Sequence, residues 1–291
     1  MKRLHSGIPA LAILLWSIGT ANIQPASAQP GDPLIPAYLD ALPPALELKE
    51  DGPQHYSMTS VYYNKGLLGG FISKMKVSGE YTRGLGSGYV QWNKVEIAET
   101  YQQEGDFPAG KTQDYMEDFR YIPSGNMIQA SAFENFPPNS IFAKNLVWDA
   151  LAFEAFAWEF LDKLQLNVPY RAEEVEGELS LAGQGTFENK EAHVTWTGLS
   201  RMNGELCALI QFRVMDNPLE MDNPQMSLRG RSHYWGNIWV SLEDKQIEHA
   251  TLSEDVVMEI KLAGQSNSQY INTTREIVFR KLSGLKTEQE R

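Results

Sequence analysis

The sequence predicts a mainly β protein of the α+β class, built as a large curved antiparallel sheet or half-barrel with one long helix packed on its concave face. Three observations support this fold class. Strand-like runs rich in aromatic and β-branched residues fill most of the chain between residues 55 and 285. One long, apolar, helix-forming segment, residues 140–165, lies among them. No Gly/Ser-rich linker divides the chain, so we expect a single domain over residues 55–285.

The first 28 residues have the composition of an export signal. Lys2 and Arg3 supply a positive start, and residues 8–18 form an apolar run too short to span a bilayer comfortably. Ala26-Ser27-Ala28 then offers the small residues that precede cleavage. We therefore expect an exported protein, periplasmic or extracellular, with a retained membrane anchor as the alternative. No later segment has enough uncharged apolar sequence for an integral membrane span.

The segments that flank the predicted domain are polar or rich in proline. Residues 29–54 contain six prolines, which indicate an extended arm over a surface, with one helical turn over residues 37–42. At the other end, residues 286–291 predict a polar tail.

The composition excludes some partners and restricts the chemistry. The formal net charge is −12, whereas nucleic acids and anionic membranes bind clustered Lys and Arg, so we expect neither partner. The single cysteine, Cys207, precludes an intramolecular disulfide. Its apolar, strand-like surroundings favour a buried and inert thiol over a reactive one. No motif indicates a cofactor.

The first half of the domain predicts a meander of strands. Three strands are expected, over residues 56–63, 71–82 and 89–98. A glycine-rich hairpin turn, residues 84–88, precedes the third strand, and a slip in its alternation near Asn93 predicts a β-bulge. Residues 99–126 are polar and acidic. We interpret them as a solvated loop or edge strand, with a calcium site as the alternative.

The helix carries the predicted ligand site. At about 100° per residue, its apolar side chains form one broad arc. We expect this arc and the concave face of the sheet to line an apolar site that contains Phe142, Leu146, Phe153, Glu154, Ala157, Trp158 and Phe160.

Two carboxylates do not fit the apolar arc. Glu154 projects near its middle, and Asp149 lies at its margin. A carboxylate in such a place must be paired, hydrogen-bonded, or protonated with a raised pKa. Two interpretations of Glu154 stay open: the polar anchor of a ligand cavity, or a structural partner for an arginine or a backbone group.

The second half predicts further strands, over residues 178–187, 193–202 and 205–214. Asn203-Gly204 predicts a type I′ hairpin turn, because both residue types tolerate positive φ. Met-Asp-Asn-Pro then occurs twice, at residues 215–218 and 221–224, and predicts a pair of turns. Asp216 and Asp222 in this segment are weak candidates for a metal site.

A long hairpin over residues 226–241 and 246–262 allows its register to be predicted. A three-residue turn sets Leu252 opposite Gly236 and keeps apolar residues on one face. The same register places His233 opposite Asp255 and His249 opposite Trp239 on the other face. A last strand is expected over residues 270–282.

This register defines a surface patch with two interpretations. The pair His233 and Asp255 has the residue types of half a catalytic relay, although no nucleophile and no third zinc ligand is indicated. The simpler interpretation is a cross-strand ion pair beside an aromatic surface patch of Trp235, Trp239 and His249.

One stretch carries a resemblance to a known family. Residues 236–250, GNIWVSLEDKQIEHA, form an aromatic-aliphatic strand, an acidic turn and a returning strand. This pattern resembles the LolA/LppX-like periplasmic lipoprotein-carrier superfamily. The resemblance implies a curved half-barrel over an apolar cavity with a helical lid, and a function in binding acyl chains.

The functional hypothesis is an exported, soluble, non-enzymatic protein that binds an apolar small molecule or lipid. One alternative is a secreted hydrolase that uses His233 and Asp255. The other is an envelope interaction or assembly module that uses the aromatic patch and the repeated Asp-Asn-Pro segment.

Overall fold

The computed structural model describes residues 34–43, 46–223 and 226–282. The predicted export signal and the polar tail lie outside these residues. Thirteen strands form one open, curved antiparallel sheet, and a long helix packs on it, so the predicted fold class is confirmed. No helix in the described ranges is both long and apolar enough to cross a membrane.

The described chain begins with a short helix, α1, and the long helix α2 follows the fifth strand. The helices are α1 (Leu34–Leu39) and α2 (Ile141–Trp158). The strands are β1 (Gln54–Gly66), β2 (Phe71–Arg83), β3 (Val90–Thr100), β4 (Lys111–Thr112), β5 (Phe119–Tyr121), β6 (Tyr170–Arg171), β7 (Gly177–Ser180), β8 (Gly185–Asn189), β9 (His193–Met202), β10 (Glu205–Asn223), β11 (Met226–Ser241), β12 (Ile247–Leu262) and β13 (Gln269–Lys281).

The sheet joins the two ends of the domain at its centre. The main strand order is β4-β3-β2-β1-β13-β12-β11-β10-β8-β7, with β5 paired to β3, β9 to β10, and β6 to β9. The last strand therefore lies beside the first. Long-range pairing of this kind makes one cooperative sheet from segments on both sides of α2.

The predicted hairpin register is confirmed as far as Trp239, after which it shifts by one residue. The strands are therefore joined by residues 242–246 rather than by the predicted three-residue turn. Leu252 pairs with Gly236, and His249 pairs with Trp239, on β12 and β11. An added Cβ at Gly236 would lie 1.9 Å from the Thr251 carbonyl oxygen, so only glycine fits at this position. The type I′ turn is also present between β9 and β10, with φ values of 53° and 89° at its two residues.

Two predicted boundaries are wrong. Helix α2 ends at Trp158 rather than near residue 165, because Phe160 and Leu161 turn into the core and a short 3₁₀ helix follows. Residues 178–187 form a hairpin, β7 and β8, rather than one strand.

Over its described residues 215–223, the repeated Met-Asp-Asn-Pro segment does not form the predicted pair of turns. Strand β10 runs through it to Asn223, and its register against β11 shifts at residues 214–217, where Asp216 has a φ of 60°. Pairing with β11 outweighs the local turn preference, because it satisfies the backbone over residues 217–223. The shift also keeps Asn217 buried on the core face.

Helix α2 is the middle layer of the domain. The concave face of the sheet packs on one side, and residues 114–136 cover the other with buried Met116, Tyr121 and Met127. Trp148 Nε1 on α2 donates to the Met127 carbonyl at 2.9 Å. The predicted edge strand within residues 99–126 is present as β4 and β5, which pair with β3. The predicted solvated loop is wrong for the second half of this segment, where Met116 and Tyr121 are buried in the core.

Candidate functional site

The apolar arc of α2 fills the concavity beneath it. Five of the seven predicted site residues are buried: Leu146, Phe153, Glu154, Ala157 and Phe160. Phe153 packs between two strands, with ring centroids 5.8 Å from Phe279 and 6.2 Å from Phe212. Phe142 and Trp158, near the two ends of the helix, stay partly exposed.

Glu154 is held by strand β2. The Tyr81 hydroxyl donates to Glu154 at 2.6 Å, and the Arg83 guanidinium forms an ion pair with the same carboxylate. Arg83 also pairs with Glu50 at 2.9 Å and lies 4.6 Å from the Trp158 ring centroid. Burial raises the pKa of Glu154, whereas Arg83 acts in the opposite direction. These contacts favour the interpretation of Glu154 as a structural partner of an arginine.

Asp149 takes part in a second buried network. Arg275 on β13 makes two hydrogen bonds to Asp149, at 2.9 and 3.0 Å, and its Nε lies 2.7 Å from Glu254. The Ser232 hydroxyl donates to Glu254 at 2.6 Å. Burial raises the pKa of Asp149 to about 6, against the lowering effect of Arg275. One guanidinium therefore joins the helix to two strands.

Three charged residues of these networks were not among the predicted site residues: Arg275, Glu254 and Arg83. One signal pointed to the first two: each occupies an apolar-face position of its strand, Arg275 in step with Ile277 and Phe279. A charged side chain that points to the same face of its strand as the core residues must be paired with another group in the core.

An apolar surface lies on the concave face beyond the first turn of α2. Six partly exposed side chains form it, and we call it the outer stripe: Phe187, Leu219, Met221, Met258, Ile260 and Ile271. They face the same side as the core, since they alternate in step with buried residues on β8, β10, β12 and β13.

Strand pairing makes the outer stripe continuous. Leu219 pairs with Phe187 on one side and with Gly230 on the other, and Gly230 pairs with Met258, which pairs with Ile271. Gly230 has no side chain, and Met258 packs close to it, because a Cβ added at Gly230 would lie 3.0 Å from the Met258 Cβ. The result is a continuous apolar band across five strands.

The outer stripe is adjacent to the N-terminal end of α2. The Phe142 ring meets Tyr62 edge-on at 5.2 Å, and Asn145 donates to the Tyr62 hydroxyl at 3.2 Å. Strand β1 continues past Tyr62 to Gly66, which pairs with Ile271 of the stripe. A polar row with a 2.7 Å hydrogen bond from Thr273 to Asn64 separates the stripe from the buried network.

The opposite, convex face carries the predicted aromatic patch. Trp235 is 44% exposed, and Trp239 packs on His249 with ring centroids 5.1 Å apart. His233 and Asp255 are register partners, as predicted. However, His233 Nδ1 accepts from the Asp216 backbone N–H at 3.0 Å, and Asp255 accepts from the Asn272 side chain. The described side chains therefore do not form the His–Asp hydrogen bond that a relay needs.

The acidic residues that the sequence offered as metal ligands do not form the carboxylate cluster of this structure. Asp216 contacts Arg231 at 3.4 Å, and Asp222 is exposed on β10. In the described ranges, the carboxylates close enough to share a cation are those of Glu205, Asp244 and Glu248. The Lys281 ammonium contacts Glu248 and lies 3.6 Å from Asp244, so a lysine already supplies positive charge to this cluster.

Comparison with known proteins gives a weak likeness of fold. The structure titled lipid–protein interactions in lipovitellin aligns with 81% of this chain at 12% identity and a TM-score of 0.41. This chain covers 26% of that one, about a quarter of its length. A DUF1329 family protein from Desulfovibrio piger aligns with 81% of this chain and 89% of its own, at 10% identity and a TM-score of 0.14.

Neither likeness carries an argument about function at these TM-scores. No protein-family model and no curated protein matches the chain. The resemblance to the LolA/LppX-like carriers therefore remains one of fold alone.

Proposed function

We propose that this chain is an exported, non-enzymatic binding protein for an apolar or acyl-chain ligand, which it holds on the outer stripe. The observation that carries the proposal is the continuity of that stripe. Partly exposed apolar side chains on a concave surface, bordered by a few polar groups, are what small-molecule sites require.

The proposal moves the ligand from beneath α2 to a position beside it. Leu146, Phe153 and Phe160 are fully packed, so a ligand beneath the helix would have to displace them. Phe142 stays partly exposed at the edge nearest the stripe and is the predicted site residue that contacts the ligand in this arrangement. Glu154 then stabilises the wall behind the site rather than anchoring the ligand.

The energetics suit an alkyl chain. Each buried methylene contributes about 0.8 kcal/mol, so roughly eight methylenes on the outer stripe supply about 6 kcal/mol before the costs of association.

Displacement of cis-parinaric acid by palmitate tests the proposal. Wild-type protein is expected to bind the fluorescent acid and release it to palmitate. Met258→Glu puts a carboxylate in the stripe and should weaken binding about tenfold or more, because an unpaired charge there must be desolvated. Val257→Glu is the matched control, since Val257 is on the same strand and faces the opposite side.

Two results would contradict the proposal. One is a wild-type protein that binds neither acid at saturating concentration. The other is equal weakening by Met258→Glu and Val257→Glu, which would mean that the bound acid does not use the concave face.

A further inference from the structure

The convex face has a polar cleft that lies on the opposite side of the sheet from the outer stripe. Its volume is about 260 Å³, slightly below the roughly 300–1,000 Å³ typical of small-molecule sites. The turn at Asn167 and Pro169 forms one wall, and the outer faces of β9 and β10 form the floor. This cleft shares no residue with the outer stripe.

The floor of the cleft is a cross-strand ladder of polar side chains. Gln211 pairs with Thr195, and Arg213 pairs with His193. These residues alternate with buried Phe212 and Val194, so their side chains all point away from the core. The turn that carries Asn167 is fixed by a 2.8 Å hydrogen bond from its backbone N–H to the Trp196 carbonyl.

Arg213 is unlike the neighbouring arginines of this acidic chain. Arg171, Arg229 and Arg231 each have a carboxylate partner within 4 Å. Across the ranges that the structure describes, the side chains of Arg213, Gln211 and Thr195 have no hydrogen-bond or ion-pair partner. A guanidinium with its fork of donors unused is complementary to a carboxylate.

The remaining groups fit a hydroxylated ring. Gln211, Asn167 and Thr195 can each donate and accept a hydrogen bond, as sugar hydroxyls require. Trp235 is the register partner of Arg213 on β11 and exposes 44% of its surface on the same face. The electron-rich face of an indole attracts the C–H face of a pyranose ring.

We propose that this cleft binds a carboxylate-bearing sugar. Arg213 holds the carboxylate, Gln211, Asn167 and Thr195 bind the hydroxyls, and Trp235 supports the ring. A free sugar acid and a uronic-acid unit of a polysaccharide present the same chemistry.

Calorimetric titration of the full chain at low ionic strength tests this site. Galacturonate is expected to bind, and galactose, which lacks the carboxylate, should bind about tenfold more weakly or not at all. Arg213→Gln should abolish the preference for galacturonate. Arg229→Gln removes the same charge at the far end of β11 and should leave binding unchanged.

The outcomes separate the two sources of the ligand. Tighter binding of tetragalacturonate than of the monomer assigns the site to a polysaccharide, and equal binding assigns it to a free acid. The proposal is overturned if galacturonate does not bind, if Arg213→Gln binds it as wild type does, or if succinate, which has no hydroxyls, binds equally well. Both substituted arginines are exposed, so circular dichroism should show an unchanged fold.

Discussion

Asp149 on α2 and Arg275 on β13 form a two-point ion pair in the core, with N–O distances of 2.9 and 3.0 Å. The carboxylate of Glu254 on β12 lies 2.7 Å from the Nε of the same guanidinium. One arginine therefore fixes the position of the helix relative to the two central strands. Apolar packing alone is tolerant of small shifts, whereas a buried forked hydrogen bond is satisfied in one position only.

Removal of this arginine should be strongly destabilising. Arg275→Met would leave the carboxylates of Asp149 and Glu254 buried without a counter-charge. We expect the free energy of unfolding to fall by roughly 3–5 kcal/mol in urea denaturation, the usual cost of breaking a buried pair from one side. Arg280→Met removes an exposed arginine from the same strand and should cost less than about 0.5 kcal/mol. Similar losses in the two variants would show that Arg275 does not join the helix to the sheet.

Asp149 should also make stability depend on pH. Its pKa is raised in the fold, from 3.8 to about 6, because burial disfavours its charged form. Between these values the folded chain binds more protons than the unfolded chain, so the contribution of Asp149 to stability is lost as pH rises from about 4 to about 6. The comparison of wild type with Asp149→Asn isolates this group. The difference in the free energy of unfolding, wild type minus Asp149→Asn, should decrease across that range and be constant above it. A difference that increases with pH would contradict the assignment.

Cys207 should be unreactive in the folded protein. It is buried, and the pKa of its thiol is raised to about 12 by burial and by the nearby carboxylates of Glu248 and Glu205. A thiolate-specific reagent such as Ellman's reagent should not modify it at pH 8, and one equivalent should react after unfolding in guanidinium chloride. Rapid reaction without denaturant would show that the β9–β10 region opens readily.

Glycine at position 236 should be required by packing. Gly236→Ala would place a methyl group against the Thr251 carbonyl and 2.6 Å from the Phe212 ring. Overpacking of this kind typically costs about 1–3 kcal/mol, measurable as a lower midpoint of unfolding. Gly70→Ala has no atom within 4 Å of the added Cβ and serves as the control. An unchanged midpoint in Gly236→Ala would mean that the hairpin shifts to make room.

The sequence by itself determined the fold class, the central helix and the register of the β11–β12 hairpin. The alternation of apolar and polar residues determines which side chains share a face of a strand. The register that sets Leu252 opposite Gly236 keeps the apolar residues of both strands on one face. It also identified Glu154 as a carboxylate that needs a partner, because its angular position on the helix is a local property.

Only the tertiary structure decided which partner each buried charge has and where apolar surface remains exposed. Arg83 meets Glu154, and Arg275 meets Asp149, across 71 and 126 residues of sequence, and nothing local to either residue specifies that encounter. The outer stripe likewise depends on how several strands pair, because its side chains come from four of them. It lies on the part of the sheet that α2 does not cover. Local spacing encodes which way a side chain points, whereas its neighbours depend on how distant strands pair.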